Sequence, residues 1–123
     1  MSNMYIRTRN GVYEVVQSND IYTEVKGNTN GVPLNDGNTA IHFKEILKQS
    51  ENLEELCDEF VIEFLDSEEE NVIQIRFPEF QWAKEEFEKF TLYDTTLYGA
   101  IRVFGKGLIY VAKMNDNGGL LLI

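Results

Sequence analysis

Residues Glu51 to Asn71 read ENLEELCDEFVIEFLDSEEEN, and the fold turns on how this stretch is arranged. Leu53, Leu56, Cys57, Phe60 and Val61 recur at i, i+3, i+4, i+7 and i+8, the spacing that lays one apolar stripe along a helix. Asn52 is a good N-cap, and Glu55 three residues on can reach back to its backbone N–H as in a capping box. The expectation is a helix beginning at Leu53. Its outer face is acidic: Glu54 with Asp58, Glu55 with Glu59 and Glu59 with Glu63 are like-charge i,i+4 pairs, each costing roughly 0.2 to 0.5 kcal/mol. Each buried Leu or Phe contributes roughly 1.5 to 3 kcal/mol, so packing outweighs that repulsion. Asp58 and Glu59 would approach the negative end of the helix dipole, where a base is better placed.

The same stretch carries ten of the chain's 21 acids (Glu51, Glu54, Glu55, Asp58, Glu59, Glu63, Asp66, Glu68, Glu69 and Glu70) and no Lys, Arg or His. The remaining 11 acids balance the 11 bases, so the net charge of −10 belongs to this one place. Such a chain repels nucleic-acid phosphates and anionic membranes and favours a protein partner with a basic surface.

A length of 123 residues predicts a single domain spanning 1–123, and 43% hydrophobic content with 8 Phe and 6 Tyr argues against disorder. Cys57, the one cysteine, has no partner for an intrachain disulfide, which fits a reducing cytoplasm. The N-terminal MSNMYIRTRNG lacks the apolar core of a signal peptide, and no run reaches the 18 or so apolar residues of a membrane span. The expected location is cytoplasmic.

Met4 to Val16 reads as a hairpin turning on Asn10-Gly11. A two-residue loop would oppose Arg9 with Val12, Thr8 with Tyr13, Arg7 with Glu14 and Ile6 with Val15. Ile21 to Lys26 alternates as a third strand. Gly27 to Thr39, GNTNGVPLNDGNT, reads as a long surface loop. Ala40 to Lys48 is ambiguous between helix and strand, with the extended form favoured. Phe60 to Leu65 and Val72 to Phe77 look like strands joined by the acidic turn Asp66 to Asn71. From Pro78 the period changes: Phe80, Ala83, Phe87 and Phe90 predict a second amphipathic helix over Glu79 to Phe90. A type II′ turn at Gly105-Lys106 would then oppose Val103 with Leu108, Ile101 with Tyr110, Gly99 with Ala112 and Leu97 with Met114. Leu120 to Ile123 can return as a last strand. The predicted class is α+β, an antiparallel sheet of hairpins with two amphipathic helices packed on it.

Tyr5 to Val15 (YIRTRNGVYEV), Asn52 to Val61 (NLEELCDEFV) and Gly107 to Asp116 (GLIYVAKMND) together resemble a group of small uncharacterised proteins encoded by phages, prophages and mobile elements of low-GC Gram-positive bacteria. The resemblance implies an accessory gene product rather than a housekeeping enzyme. It brings no activity and no site residues.

No catalytic constellation stands out, and the expectation is a protein that is not an enzyme. His42 is the only histidine, and Cys57 sits on an apolar stripe without an activating neighbour, so a small hydrolase built on that pair ranks last. Asp66 to Phe77 begins like a calcium loop but has Asn71 at position six and Phe77 at position twelve, so neither a metal nor a cofactor is expected. Trp82, Tyr93 and Tyr98 are candidates for an aromatic patch. The candidate partner-binding residues are Glu54, Glu55, Asp58, Glu59, Asp66, Glu68, Glu69 and Glu70. A protein–protein interaction module is the leading expectation, with a homodimer joined along an exposed sheet edge as one form of it. The alternative is an acidic nucleic-acid mimic that inhibits a host defence or DNA-processing enzyme, of anti-restriction or anti-CRISPR type.

Overall fold

Strand rather than helix takes most of the chain. In the computed structural model, which describes every residue except 1, 2, 67, 69 and 91–93, 49% of the described residues lie in strands and 12% in helices of any kind. They form two antiparallel sheets and, among the described residues, one α-helix of eight residues. The expected sheet with two amphipathic helices packed on it is therefore corrected. The helix that is missing is the one expected from Leu53. There the chain makes a 3₁₀ turn over Leu53–Glu55, and by Glu59 it is already extended.

Two periodicities overlap in that segment, and the longer-ranged one wins. Leu53, Leu56, Cys57 and Phe60 fit a helix, but Phe60, Ile62 and Phe64 also alternate, and the strand they form pairs with a neighbour on each side. β-Branched Val61 and Ile62 favour that outcome, as does the row of like charges a helix would have stacked. The expected capping box is absent, since the Asn52 side chain caps nothing. Instead the Ser50 hydroxyl accepts the Asn52 N–H at 3.0 Å and is hydrogen-bonded to the Glu55 carboxylate.

The chain divides into two compact units, Met1–Leu56 and Cys57–Ile123. The first holds β1 (Tyr5–Arg7), β2 (Val12–Ser18), β3 (Tyr22–Val25), β4 (Val32–Pro33), β5 (Thr39–His42) and β6 (Lys48–Ser50), in the order β4-β5-β3-β2-β1-β6. Its apolar core centres on buried Ile6, Val25 and Ile41, with Tyr13, Val15 and Ile46 packed against them, and Val12, Leu53 and Leu56 are buried as well. Polar groups carry much of the rest. Glu24, only 5% exposed, accepts from Gln17 Nε2 at 3.1 Å and from Asn38 Nδ2 at 2.9 Å. Buried Thr39 is hydrogen-bonded to the Thr29 hydroxyl at 2.6 Å and donates to the Gly27 carbonyl. These bonds organise Gly27 to Thr39, which is not an open loop but contains β4, paired to β5 through Val32 with Ala40 and Pro33 with Thr39.

The first hairpin keeps its expected faces but shifts its register by two residues, pairing Arg7 with Val12, Ile6 with Tyr13 and Tyr5 with Glu14. The Thr8 hydroxyl accepts the Asn10 N–H at 3.2 Å and widens the turn to four residues. Arg7 therefore does not face Glu14. It donates to the carbonyls of Thr8 and Leu56, while Glu14 forms an ion pair with Lys26.

The second unit holds β7 (Glu59–Asp66), β8 (Asn71–Phe77), α1 (Phe80–Phe87), β9 (Thr96–Val103), β10 (Gly107–Met114) and β11 (Leu120–Leu122), in the order β11-β10-β9-β7-β8. Helix α1 covers one face. Phe60, Ile62, Phe77, Ala83 and Leu97 form its buried core, with Phe64, Phe80 and Phe87 around them. The last hairpin has a three-residue loop, so Val103 faces Gly107 and Ile101 faces Ile109. Gly105 at φ 82 gives the loop the positive φ that such a tight turn demands. A bulge between Tyr110 and Ala112 absorbs the extra residue and restores the expected pairing of Gly99 with Ala112. Leu108 and Tyr110 consequently lie on the face away from the helix.

Candidate functional site: the acidic segment

The expected acidic surface is divided by the fold into carboxylates with internal work and carboxylates without it. Glu54 and Glu55 sit in the 3₁₀ turn at the end of the first unit, Glu55 held by Ser50. Asp58 and Glu59 open the second unit and turn inward upon β9. Asp58 Oδ2 accepts the Arg102 N–H at 2.7 Å, and the Asp58 N–H donates to the Ala100 carbonyl at 2.8 Å. Arg102 Nη2 lies 2.6 Å from Glu59 Oε2, an ion pair by distance whose angle falls outside hydrogen-bond geometry. These two acids thus pin the start of β7 to the end of β9.

Glu63 has a different internal partner. It shares the face away from α1 with Tyr98 and Tyr110, whose rings stack at 4.4 Å and 12°. Burial pushes the Tyr110 phenol above the ordinary 10.0, and the Glu63 carboxylate adds to that shift by charge and hydrogen bonding. Gln74 Nε2 completes the group, donating to the Tyr110 hydroxyl at 2.6 Å. The sequence pattern does not single out this cluster, because a two-residue turn would put Tyr110 on the opposite face. The three-residue loop moves it, and the bulge after it restores the register beyond.

Asp66, Glu68 and Glu70 stand at the turn between β7 and β8; Glu69, also among the candidate residues, lies outside the described residues. Asp66 Oδ1 accepts the Glu68 N–H at 3.1 Å, which shapes the turn from within. Glu70 is held at φ 58, a left-handed conformation that costs a side chain about 1 to 2 kcal/mol and that glycine adopts freely. Among the described residues none of these three acids takes part in an ion pair. Charge and turn chemistry in the sequence pointed to this group, and the fold keeps it together.

The other candidates separate. Tyr98 lies on the sheet face away from the helix, whereas Trp82 is on α1 and meets Phe77 edge-on at 5.4 Å, so the two do not form one patch; Tyr93 lies outside the described residues. His42 is exposed, its Nδ1 accepting the Lys44 N–H at 3.2 Å. A cavity of about 370 Å³ in the first unit is lined by Thr8, Arg9, Asn10, Lys44, Glu45 and Leu47, and not by His42. Cys57 is half-buried, its Sγ close over Gly99. Among the described residues no three acids, histidines or cysteines gather where a metal could be held, and no helix is long and apolar enough to cross a membrane.

No protein-family model matches this chain, and no curated protein or solved structure matches it either.

Proposed function

We propose that the protein is a non-enzymatic protein-binding module, an accessory product of the phage, prophage and mobile-element kind, which presents the carboxylates of the β7–β8 turn to a partner with a basic surface. One observation carries the reading: Asp66, Glu68 and Glu70 share a turn and make no ion pair among the described residues, and Glu70 keeps its carboxylate in a backbone conformation that favours glycine. Charge of this kind adds specificity and association rate to a contact whose area comes from elsewhere. The same group also fits a mimic that occupies the nucleic-acid site of a host defence or DNA-processing enzyme. That variant has fewer carboxylates than the sequence promised, because Asp58, Glu59 and Glu63 are engaged internally.

Capture of a partner from a host lysate at low salt, followed by affinity measurements on the purified pair, tests this. Reversing Asp66, Glu68 and Glu70 to Lys is expected to weaken binding at least tenfold, with wild-type affinity falling as salt rises. Replacing Glu70 with Gly is expected to stabilise the fold by roughly 0.5 to 1 kcal/mol while weakening the partner. Competition by duplex DNA for the same partner marks the mimic. Binding indifferent to both salt and charge reversal, or a turnover abolished by His42→Ala or Cys57→Ser, would overturn the proposal.

A further inference from the structure

The sheets of the two units end in four edge strands, and three of them are poor templates for pairing. β4 has two residues and contains Pro33, and β6 and β11 have three each. β8 differs in every respect. It runs for seven residues, NVIQIRF, with no Pro, Gly or Lys, and its register against β7 is unbroken from Phe60–Phe77 to Asp66–Asn71. No described strand pairs with its outer side, and Val72 is 60% exposed. Proteins normally blunt an edge of this length with a bulge, a proline or inward charges, since its outward N–H and C=O groups recruit another strand.

We infer that a second copy of this chain pairs along β8, antiparallel, with the two-fold axis passing through Gln74. Identical residues, Ile73 and Ile75, flank that position. Ile73 would face the partner copy's Ile75 on the helix side, extending the apolar layer across the seam. On the other side Val72 would lie under the alkyl stem of the partner copy's Arg76. Charge selects the direction: β8 carries one base, Arg76, at its end and follows the acidic turn at its start. Antiparallel pairing brings each Arg76 to the other copy's Glu70 end, whereas parallel pairing would set the two acidic turns side by side. Of the turn acids the dimer engages only the Glu70 end, so Asp66 and Glu68 remain for the basic partner, and Asp66→Lys with Glu68→Lys tests that reading without touching the seam.

Sedimentation equilibrium of the full chain tests it, with mass expected to rise from 14.2 kDa toward twice that value between low and high micromolar concentration. In a Cys57→Ser background, Gln74→Cys is expected to give a covalent dimer under mild oxidation, because a residue on the axis meets its own copy at cross-strand distance; Val72→Cys is not. Arg76→Glu is expected to raise the dissociation constant at least tenfold without changing the far-ultraviolet circular dichroism. A monomer at every concentration, cross-linking through Val72→Cys in preference to Gln74→Cys, or a dimer unaffected by Arg76→Glu would each overturn the inference.

Discussion

The two units reach order by different chemistry. Cys57–Ile123 is a helix-covered sheet whose centre is aromatic and aliphatic, with Phe60, Phe64, Phe77, Phe80 and Phe87 in one cluster. Met1–Leu56 has no α-helix among its described residues and only aliphatic side chains buried in its core, the central cluster being Ile6, Val25 and Ile41, and it fixes its longest irregular stretch with hydroxyl, amide and carboxylate groups. Hydrophobic burial is forgiving of detail, whereas a buried polar web is not, because each lost partner strands another group. The first unit should therefore be sensitive to chemistry at constant shape, the second to volume.

The largest expected effect falls in the second unit. Phe60→Ala should lower stability by about 3 to 5 kcal/mol in chemical denaturation, since a buried ring leaves a cavity between α1 and the sheet. A cost below about 1 kcal/mol would mean that the cluster is not what holds this sheet. Next comes Glu24→Ala in the first unit. It removes the buried acceptor of the Gln17 and half-buried Asn38 amides and should cost roughly 1 to 3 kcal/mol, a loss that Glu24→Leu, with similar volume, fails to recover. Recovery by Leu would erase the distinction between the units.

Gly99→Ala sharpens the volume side of the comparison. A Cβ built at Gly99 would lie 2.7 Å from Cys57 Sγ, so the substitution should cost roughly 1 to 3 kcal/mol. Cys57→Ala in the same chain should restore most of that loss, and a double-mutant cycle with no coupling would show that the sulfur is not the obstacle.

The smallest effect is in alkaline solution and touches both units. Tyr13 and Tyr110 are each pushed above the ordinary 10.0 chiefly by burial, Tyr13 with partial compensation from a hydrogen bond to Thr8. A raised value means the folded state holds the proton more tightly than the unfolded one. The associated stability is complete below about pH 10 and is lost as pH climbs through the folded-state value. Tyr110→Phe should flatten the alkaline decline of the melting temperature, and ultraviolet titration of wild type against Tyr13→Phe and Tyr110→Phe should assign each of these two phenols an ionisation above pH 10.0. Ionisation of either at or below 10.0 would contradict this.

Alternation alone located β7, β8, β9, β10 and β11, and helical spacing found α1 behind Pro78. Three features escaped it for separate physical reasons. The stripe from Leu53 to Val61 satisfied a helix and a strand at once through Phe60, and only pairing with β8 and β9, remote in sequence, decides between them. Both hairpin registers hinge on one local bond or one extra residue, the Thr8 hydroxyl in the first and the bulge after Tyr110 in the second. The order within Gly27 to Thr39 comes from side-chain hydrogen bonds, which hydrophobic patterning does not register. Of the acidic surface, the turn at Asp66, Glu68 and Glu70 was legible from charge and turn residues. The inward roles of Asp58 and Glu59 were not, because their partner Arg102 lies more than forty positions downstream.

Glycine at position 99 has one more effect. With no side chain at that position, the chain's lone thiol rests half-buried close over Gly99, and its reaction with a modifying reagent should quicken as the segment leading into β7 lifts from β9. The pace at which the native protein consumes such a reagent then serves as a clock for the opening of that seam, readable with no engineered label.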